Sequence, residues 1–158
     1  MHPHPESRAT FECPFDRLMQ LKDIVTEREL RNPTMCDANY EPCLPVFKNG
    51  STTGVTLGRA TGIESPVREH LDNGSRTTSM EITIYPYSQK DGAFSAPGDS
   101  GAVVADGNSR IVGILIGGSG KADSFDVTYA TPYYWVHERV KAVFPNVCLF
   151  PISSGSRR

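Results

Sequence analysis

The clearest period-two pattern is Met80-Glu81-Ile82-Thr83-Ile84-Tyr85, where apolar and polar residues alternate as in a strand with one buried face. Ala102-Val103-Val104-Ala105 and Ile111-Val112-Gly113-Ile114-Leu115-Ile116 flank Asp106-Gly107, which predicts a β-hairpin. Upstream, Pro45-Val46-Phe47-Lys48 and Thr52-Thr53-Gly54-Val55-Thr56-Leu57-Gly58 are strand-like runs around Asn49-Gly50, and Val127 to Ala130 reads as a last strand. The period changes at both ends. Pro132 opens a predicted helix to about Phe144, with Val136, Val140, Val143 and Phe144 as its buried stripe. Near the start, Phe15, Leu18, Met19, Lys22 and Val25 have helical spacing, which predicts a helix from Pro14 to about Arg31, stopped before Pro33. Asn32 to Pro45 reads as a connector, Glu64 to Ser79 as a polar loop, and Ser153 to Arg158 as a disordered tail. The expected fold is mainly β, with six strands and one C-terminal helix behind an N-terminal helical prefix.

Composition supports this and removes several classes of function. The 158 residues include 14 Gly and 12 Pro, spread along the chain, which suits one turn-rich domain. Sixteen basic against 18 acidic residues give a net charge of −2, so neither nucleic acid nor a membrane surface is an expected partner. Met1 to Glu6 lacks a secretory apolar stretch, and Ile111–Ile116 is too short to span a bilayer, so a soluble protein, cytoplasmic rather than exported, is expected. Cys13, Cys36, Cys43 and Cys148 show no paired metal-ligand spacing; no metal is expected, and free thiols are expected over a Cys36–Cys43 bridge. Asn49-Gly50-Ser51 and Asn73-Gly74-Ser75 match the glycosylation pattern but read first as turns. Gly118-Ser119-Gly120-Lys121 lacks the further Gly and the Ser or Thr of a phosphate loop, so no nucleotide is expected.

The chemistry is concentrated in Ser95-Ala96-Pro97-Gly98-Asp99-Ser100-Gly101-Ala102-Val103-Val104. A serine hydroxyl becomes a useful nucleophile only when a base takes its proton and donors meet the developing oxyanion. A glycine-flanked turn serves both needs. Gly98 permits a backbone that aims its N–H, with that of Ser100, at a carbonyl oxygen, while Gly101 leaves room for an acyl group. Asp99 belongs to the nucleophile turn and structures it. Ile114-Leu115-Ile116-Gly117-Gly118-Ser119-Gly120, then Val127-Thr128-Tyr129-Ala130, then the terminal helix follow in order.

This order resembles the C-terminal barrel of trypsin-like serine proteases, the chymotrypsin fold of the PA clan, from about Val46 to Phe144. Lys48-x-Gly50-x-Thr52-Thr53-Gly54-x-Thr56-x-Gly58 looks like the opening strand of that barrel in non-digestive members, and the chain is similar to uncharacterised trypsin-like proteins of fungi. The resemblance implies a six-stranded antiparallel Greek-key barrel over residues 45–150, with residues 1–44 as prefix and linker and 151–158 as tail. It implies Ser100 as nucleophile, the N–H groups of Gly98 and Ser100 as oxyanion hole, and Ile116, Gly117 and Gly118 as the edge that pairs with extended substrate. It also implies that Phe94, six residues before the nucleophile, floors the primary pocket and that Val127 lies near another wall. A phenylalanine offers no carboxylate to Arg or Lys side chains. The disulfides that brace this loop in digestive members have no cysteines here, because none lies between Cys43 and Cys148.

The base is not found. A triad needs a histidine on the serine and an acid behind it, and in the resembled family both come from the preceding barrel. His2 and His4 lie in the terminus, His70 in the polar loop and His137 on the terminal helix, so none is assigned. The expected function is therefore the nucleophile-bearing half of a serine endopeptidase, inactive without a partner chain or barrel that supplies His and Asp. The alternative is a non-catalytic module that holds extended peptides along Ile116–Gly118. Peptide or protein substrate is the expected ligand, with no organic cofactor. A third reading, an unrelated barrel carrying the motif by chance, stays behind these two.

Overall fold

A computed structural model describes residues 19–37, 39–88, 90–120 and 127–150. The residues before Met19 and after Phe150, including the start of the predicted N-terminal helix and the tail, lie outside the described residues. The described chain is mainly β, with seven strands and a C-terminal helix. The elements are β1 (Asp23–Ile24), α1 (Glu27–Arg31), β2 (Leu44–Gly50), β3 (Gly54–His70), β4 (Arg76–Pro86), β5 (Val103–Asp106), β6 (Arg110–Ser119), β7 (Val127–Pro132) and α2 (Tyr133–Val143).

The pairing order is β1-β6-β5-β2-β3-β4-β7, and β6 also pairs with β7. Six strands are therefore joined in a circuit of antiparallel ladders, and β1 adds a short parallel pair on β6, with Asp23 opposite Arg110 and Ile24 opposite Ile111. The seventh strand arises where a helix was expected. From Met19 to Thr26 the chain is not helical: the β-branched Ile24 and Val25 run along β6, and the Val25 N–H donates to Ile111 O at 2.9 Å. A helix forms only after Thr26, whose hydroxyl receives the Glu29 N–H while the Glu29 carboxylate returns to the Thr26 N–H. It ends at Arg31, because Asn32 precedes Pro33. Val25 and Leu30 enter the same core as Val46, Ile84, Phe94, Val112 and Leu115. Arg110 joins Glu29 at 2.7 Å and Arg31 joins Glu64 at 3.1 Å, fastening this segment to the strands. Thr26→Ala is expected to cost about 1 kcal/mol and to lower the melting temperature by roughly 2–4 °C in calorimetry.

Two other expectations are corrected. Glu64 to Ser79 is a ribbon rather than a polar loop, since β3 and β4 pair from Glu64–Ile82 out to His70–Arg76 around a turn at Gly74. Its polar residues belong to a ladder whose side chains project into solvent. Helix α2 does start after Pro132, but none of its residues is buried; Val136 is half-buried, and the expected stripe is open beyond it, with Val143 70% and Phe144 64% exposed. Only its first part, through Tyr134, packs against the core. No helix among the described residues is long and apolar enough to cross a membrane.

Cys36, Cys43 and Cys148 are free thiols. Cys36 pairs with Pro42 while the Cys43 N–H bonds Met35 O, so the two cysteines face opposite sides of this short ladder. Burial, reinforced by the charge of Asp37, pushes the Cys43 thiol up to about 11.

Candidate active site

Strand β2 begins the site. Leu44, Val46 and Lys48 share its buried face, and Lys48 is wholly enclosed. A lysine at that depth requires an anion. Asp99 supplies it: Lys48 Nζ lies 3.1 Å from Asp99 Oδ2, and both side chains have no exposed surface. Lys48 also donates to Thr53 Oγ1 and to Gly54 O (3.1 Å), with the Phe94 ring centroid 5.9 Å away.

Asp99 fixes the turn through several more bonds. Its Oδ1 accepts the N–H groups of Thr52 (2.7 Å) and Thr53 (3.2 Å), and its Oδ2 accepts the Thr53 hydroxyl (2.7 Å) and the Ala96 N–H (3.1 Å). Burial alone would raise this carboxyl; the bonds from Thr53, Thr52, Ala96 and Lys48 outweigh it and hold the group well below the ordinary carboxylate range. The loop that follows β2 thus grips the loop that carries the serine. Thr52 Oγ1 donates to Pro97 O (2.9 Å) and Thr56 Oγ1 to Phe94 O (2.6 Å). Ser95 and Thr128 share a buried hydroxyl pair at 2.7 Å, and the Gly101 N–H reaches Leu115 O at 2.8 Å. These bonds brace residues 94–101 without any disulfide.

The turn takes the form its composition allows. Gly98 has φ +102° and Gly101 φ +89°, both in territory open mainly to glycine. The Asp99 N–H closes the turn on Ala96 O (3.1 Å) and the Ala102 N–H closes the next on Asp99 O (3.0 Å). The N–H groups of Gly98 and Ser100 donate to nothing among the described residues. Ser100 is exposed, and its hydroxyl donates to Ile116 O at 3.2 Å.

Ile116 marks a bulge, where β6 slips against β7 between Leu115 and Gly117. Gly117 and Gly118 pair with Tyr129 and Thr128 on the β7 side. On the other side the β5 ladder ends at Val103–Ile114, so the residues beyond Leu115 present a backbone edge beside Ser100 that pairs with no strand among the described residues. Ser100, Gly98, Asp99 and Ile116 are thereby brought together, with Gly117 and Gly118 next along the edge. Phe94 is placed in the core and Val127 half-buried at the start of β7, opposite Ser119. No histidine or carboxylate bonds the Ser100 hydroxyl among the described residues. His70 ends the β3 ribbon and is exposed, while the His137 ring stacks on Tyr133 within α2 at 6.4 Å.

Three residues that matter here, Lys48, Thr52 and Thr53, were read from the sequence only as part of the opening strand's motif and given no part in the site. The period-two run Leu44, Val46, Lys48 was the available signal for the first. Gly50 shows how tightly the pair is enclosed, since a Cβ there would collide with Asp99 and Lys48.

Acid should weaken the turn. Asp99 is depressed in the fold, so its contribution is complete above the unfolded value near 3.9 and is lost as pH falls below it toward the folded value. Glu29, held to about 2 chiefly by Arg110 and then by Thr26, acts in the same direction between about 4.3 and 2. The melting temperature is expected to fall steeply below about pH 4. Glu29→Gln should flatten part of that slope in a pH series; an unchanged slope would deny Glu29 a share.

No family model and no curated protein matches the chain. Solved structures do. A chymotrypsin of Cellulomonas bogoriensis is similar at 27% identity over 64% of this chain and 47% of its own, with a TM-score of 0.43. A glutamic-acid-specific serine protease is similar at 22% identity over 84% of this chain and 56% of its own, at 0.48. Protease A of Thermobifida fusca is similar at 19% identity over 81% and 52%, at 0.44. The chain spans about half the length of these structures.

Proposed function

We propose that this chain is the nucleophile-bearing part of a trypsin-like serine endopeptidase, a C-terminal half of the chymotrypsin fold related to the fungal trypsin-like proteins. One observation carries the reading. The buried Lys48–Asp99 pair holds Ser100 at the head of a turn whose Gly98 and Ser100 N–H groups donate to nothing among the described residues and lie beside a strand edge that no described strand covers. An ordinary loop would satisfy those donors or leave them in a mobile segment; here the turn is held by at least five side-chain bonds.

In this reading a peptide lies along Ile116–Gly118 by strand addition and presents its carbonyl carbon to Ser100 Oγ. Attack forms the C–O bond and passes the hydroxyl proton to a base, while the carbonyl oxygen takes negative charge beneath the two N–H groups. The base returns the proton to the leaving amine, and water then releases the acyl group. Ser100's hydroxyl is directed to Ile116 O, so the base and its acid are assigned to a histidine and an aspartate of another barrel or chain, without which turnover is very low. The open end of α2, with Trp135, Val143 and Phe144 exposed, offers apolar surface for such a unit. In this reading Phe94, buried in the core beneath the serine loop, gives the primary pocket no carboxylate, so Arg and Lys are not its preferred side chains.

The test joins the chain to the coding sequence upstream of Met1 or to a separately supplied His/Asp barrel, then applies a fluorophosphonate. Ser100 is expected to label, and Ser100→Ala to abolish labelling. An assembled form with a histidine on Ser100 that still does not label would end the protease reading. A peptide-holding module without catalysis is the second reading, supported by an edge left unpaired, and a serine left without a base, among the described residues. It requires that the isolated chain bind extended peptides and that Ser100→Ala leave that binding intact.

A further inference from the structure

We propose that Thr52 is a positioning residue for the oxyanion site, holding the Pro97–Gly98 peptide in the orientation that presents the Gly98 N–H beside Ser100. This rests on the protease reading of the site, and deepens it. Ala96 to Asp99 form a turn closed by the Asp99 N–H on Ala96 O, with Pro97 second and Gly98 third at φ +102°. Proline second and a positive φ third define a type II turn. A type I turn keeps the same closing bond and differs by rotating the central peptide about half a revolution. That rotation would replace the Gly98 N–H with the Pro97 carbonyl oxygen, which repels an oxyanion instead of binding it.

The turn's own residues do not decide between these forms. Proline at the second position suits both, and glycine accepts either φ at the third. The deciding contact comes from outside. Across a planar trans peptide the C=O and N–H point in opposite directions, so holding one aims the other. Thr52 Oγ1 donates to Pro97 O at 2.9 Å, and among the described residues nothing else does. Thr52 performs a separate task with its backbone, whose N–H is bound by Asp99 Oδ1 at 2.7 Å. Side chain and backbone can therefore be tested apart. Thr52→Val removes the hydroxyl, keeps the shape and leaves the Asp99 cradle its N–H; Thr52→Ser keeps the hydroxyl.

The measurement is the direction of the Gly98 N–H bond in the isolated chain, from residual dipolar couplings and the Gly98 amide-to-α-proton couplings. Thr52→Val is expected to shift the balance toward the rotated peptide by roughly 2- to 12-fold, the range for one lost hydrogen bond. Thr52→Ser is expected to keep the wild-type couplings. Unchanged Gly98 couplings in Thr52→Val overturn the proposal, as does an equal displacement in Thr52→Ser. These couplings need no base near Ser100, so they are read independently of whether Ser100 is ever labelled. In a form that does label, Thr52→Val should slow labelling by the same roughly 2- to 12-fold, and Thr52→Ser should restore it.

Discussion

Lys48→Met is expected to destabilise the protein by about 3–5 kcal/mol, the usual cost of removing one partner of a buried ion pair. For a chain of this size that lowers the melting temperature by roughly 6–20 °C. Methionine matches the lysine stem in length and fills the same space against Phe94, so packing changes little. What changes is the charge. Asp99 keeps its N–H donors from Thr52, Thr53 and Ala96 but loses the only cation paired with it among the described residues, and its carboxylate has no exposed surface. The consequences should be local before they are global. Amide exchange at Asp99, Gly101 and Ala102 is expected to accelerate more than exchange in β4, because those three amides belong to the turn that Asp99 anchors. Thermal denaturation at neutral pH checks the first effect and hydrogen exchange the second. A variant melting within a degree of wild type would mean the pair contributes nothing to the fold.

Gly98→Ala should cost more chemistry than stability. Its φ of +102° is strained for any residue with a Cβ, costing about 1–3 kcal/mol. The added carbon would also collide with Thr52 Oγ1. Rotating the Pro97–Gly98 peptide relieves the strain and removes the oxyanion donor. In an assembled form that turns over peptide, kcat is expected to drop by about 10²–10³, the effect of one lost oxyanion donor. Gly101→Ala provides the contrast, because its Cβ would meet nothing within 4 Å and only the strain at φ +89° remains. Steady-state kinetics on both variants, with melting curves beside them, separate the donor from the strain. Full kcat in Gly98→Ala would deny its N–H a part in catalysis.

Much of the fold was legible because strands announce themselves locally. The alternation at Met80–Tyr85 and the hairpin around Asp106 appear in the structure as β4 and β5–β6. The same logic failed where the periodicity was carried by few residues. Phe15 to Val25 had helical spacing, yet Ile24 and Val25 pair with the backbone of β6 rather than with their own sequence neighbours. The T-x-x-E capping signal at Thr26 was present and marks where helix becomes possible. At α2 the apolar stripe was read as buried, but amphipathic spacing says only that one face is apolar, not that anything covers it.

The sequence by itself determined the reactive element. Gly98, Asp99, Ser100 and Gly101 are adjacent, and the freedom of the two glycines to take a positive φ beside the serine is a local property of four residues. Period-two alternation likewise marked Met80–Tyr85 as a strand but not which face turns inward, because Glu81 and Thr83 are buried together with Ile82 and Ile84 while Met80 is 53% exposed. Only the tertiary structure decided what holds that turn open. Lys48 and Asp99 are fifty-one positions apart, as are Pro97 and Thr52 forty-five apart, and no local pattern states that they meet. Their union depends on β2 and the loop after it lying against the serine loop. It is enforced because a buried charge must find its counterion. Side-chain burial, not sequence spacing, turned Lys48 from a residue in a strand into the anchor of the site.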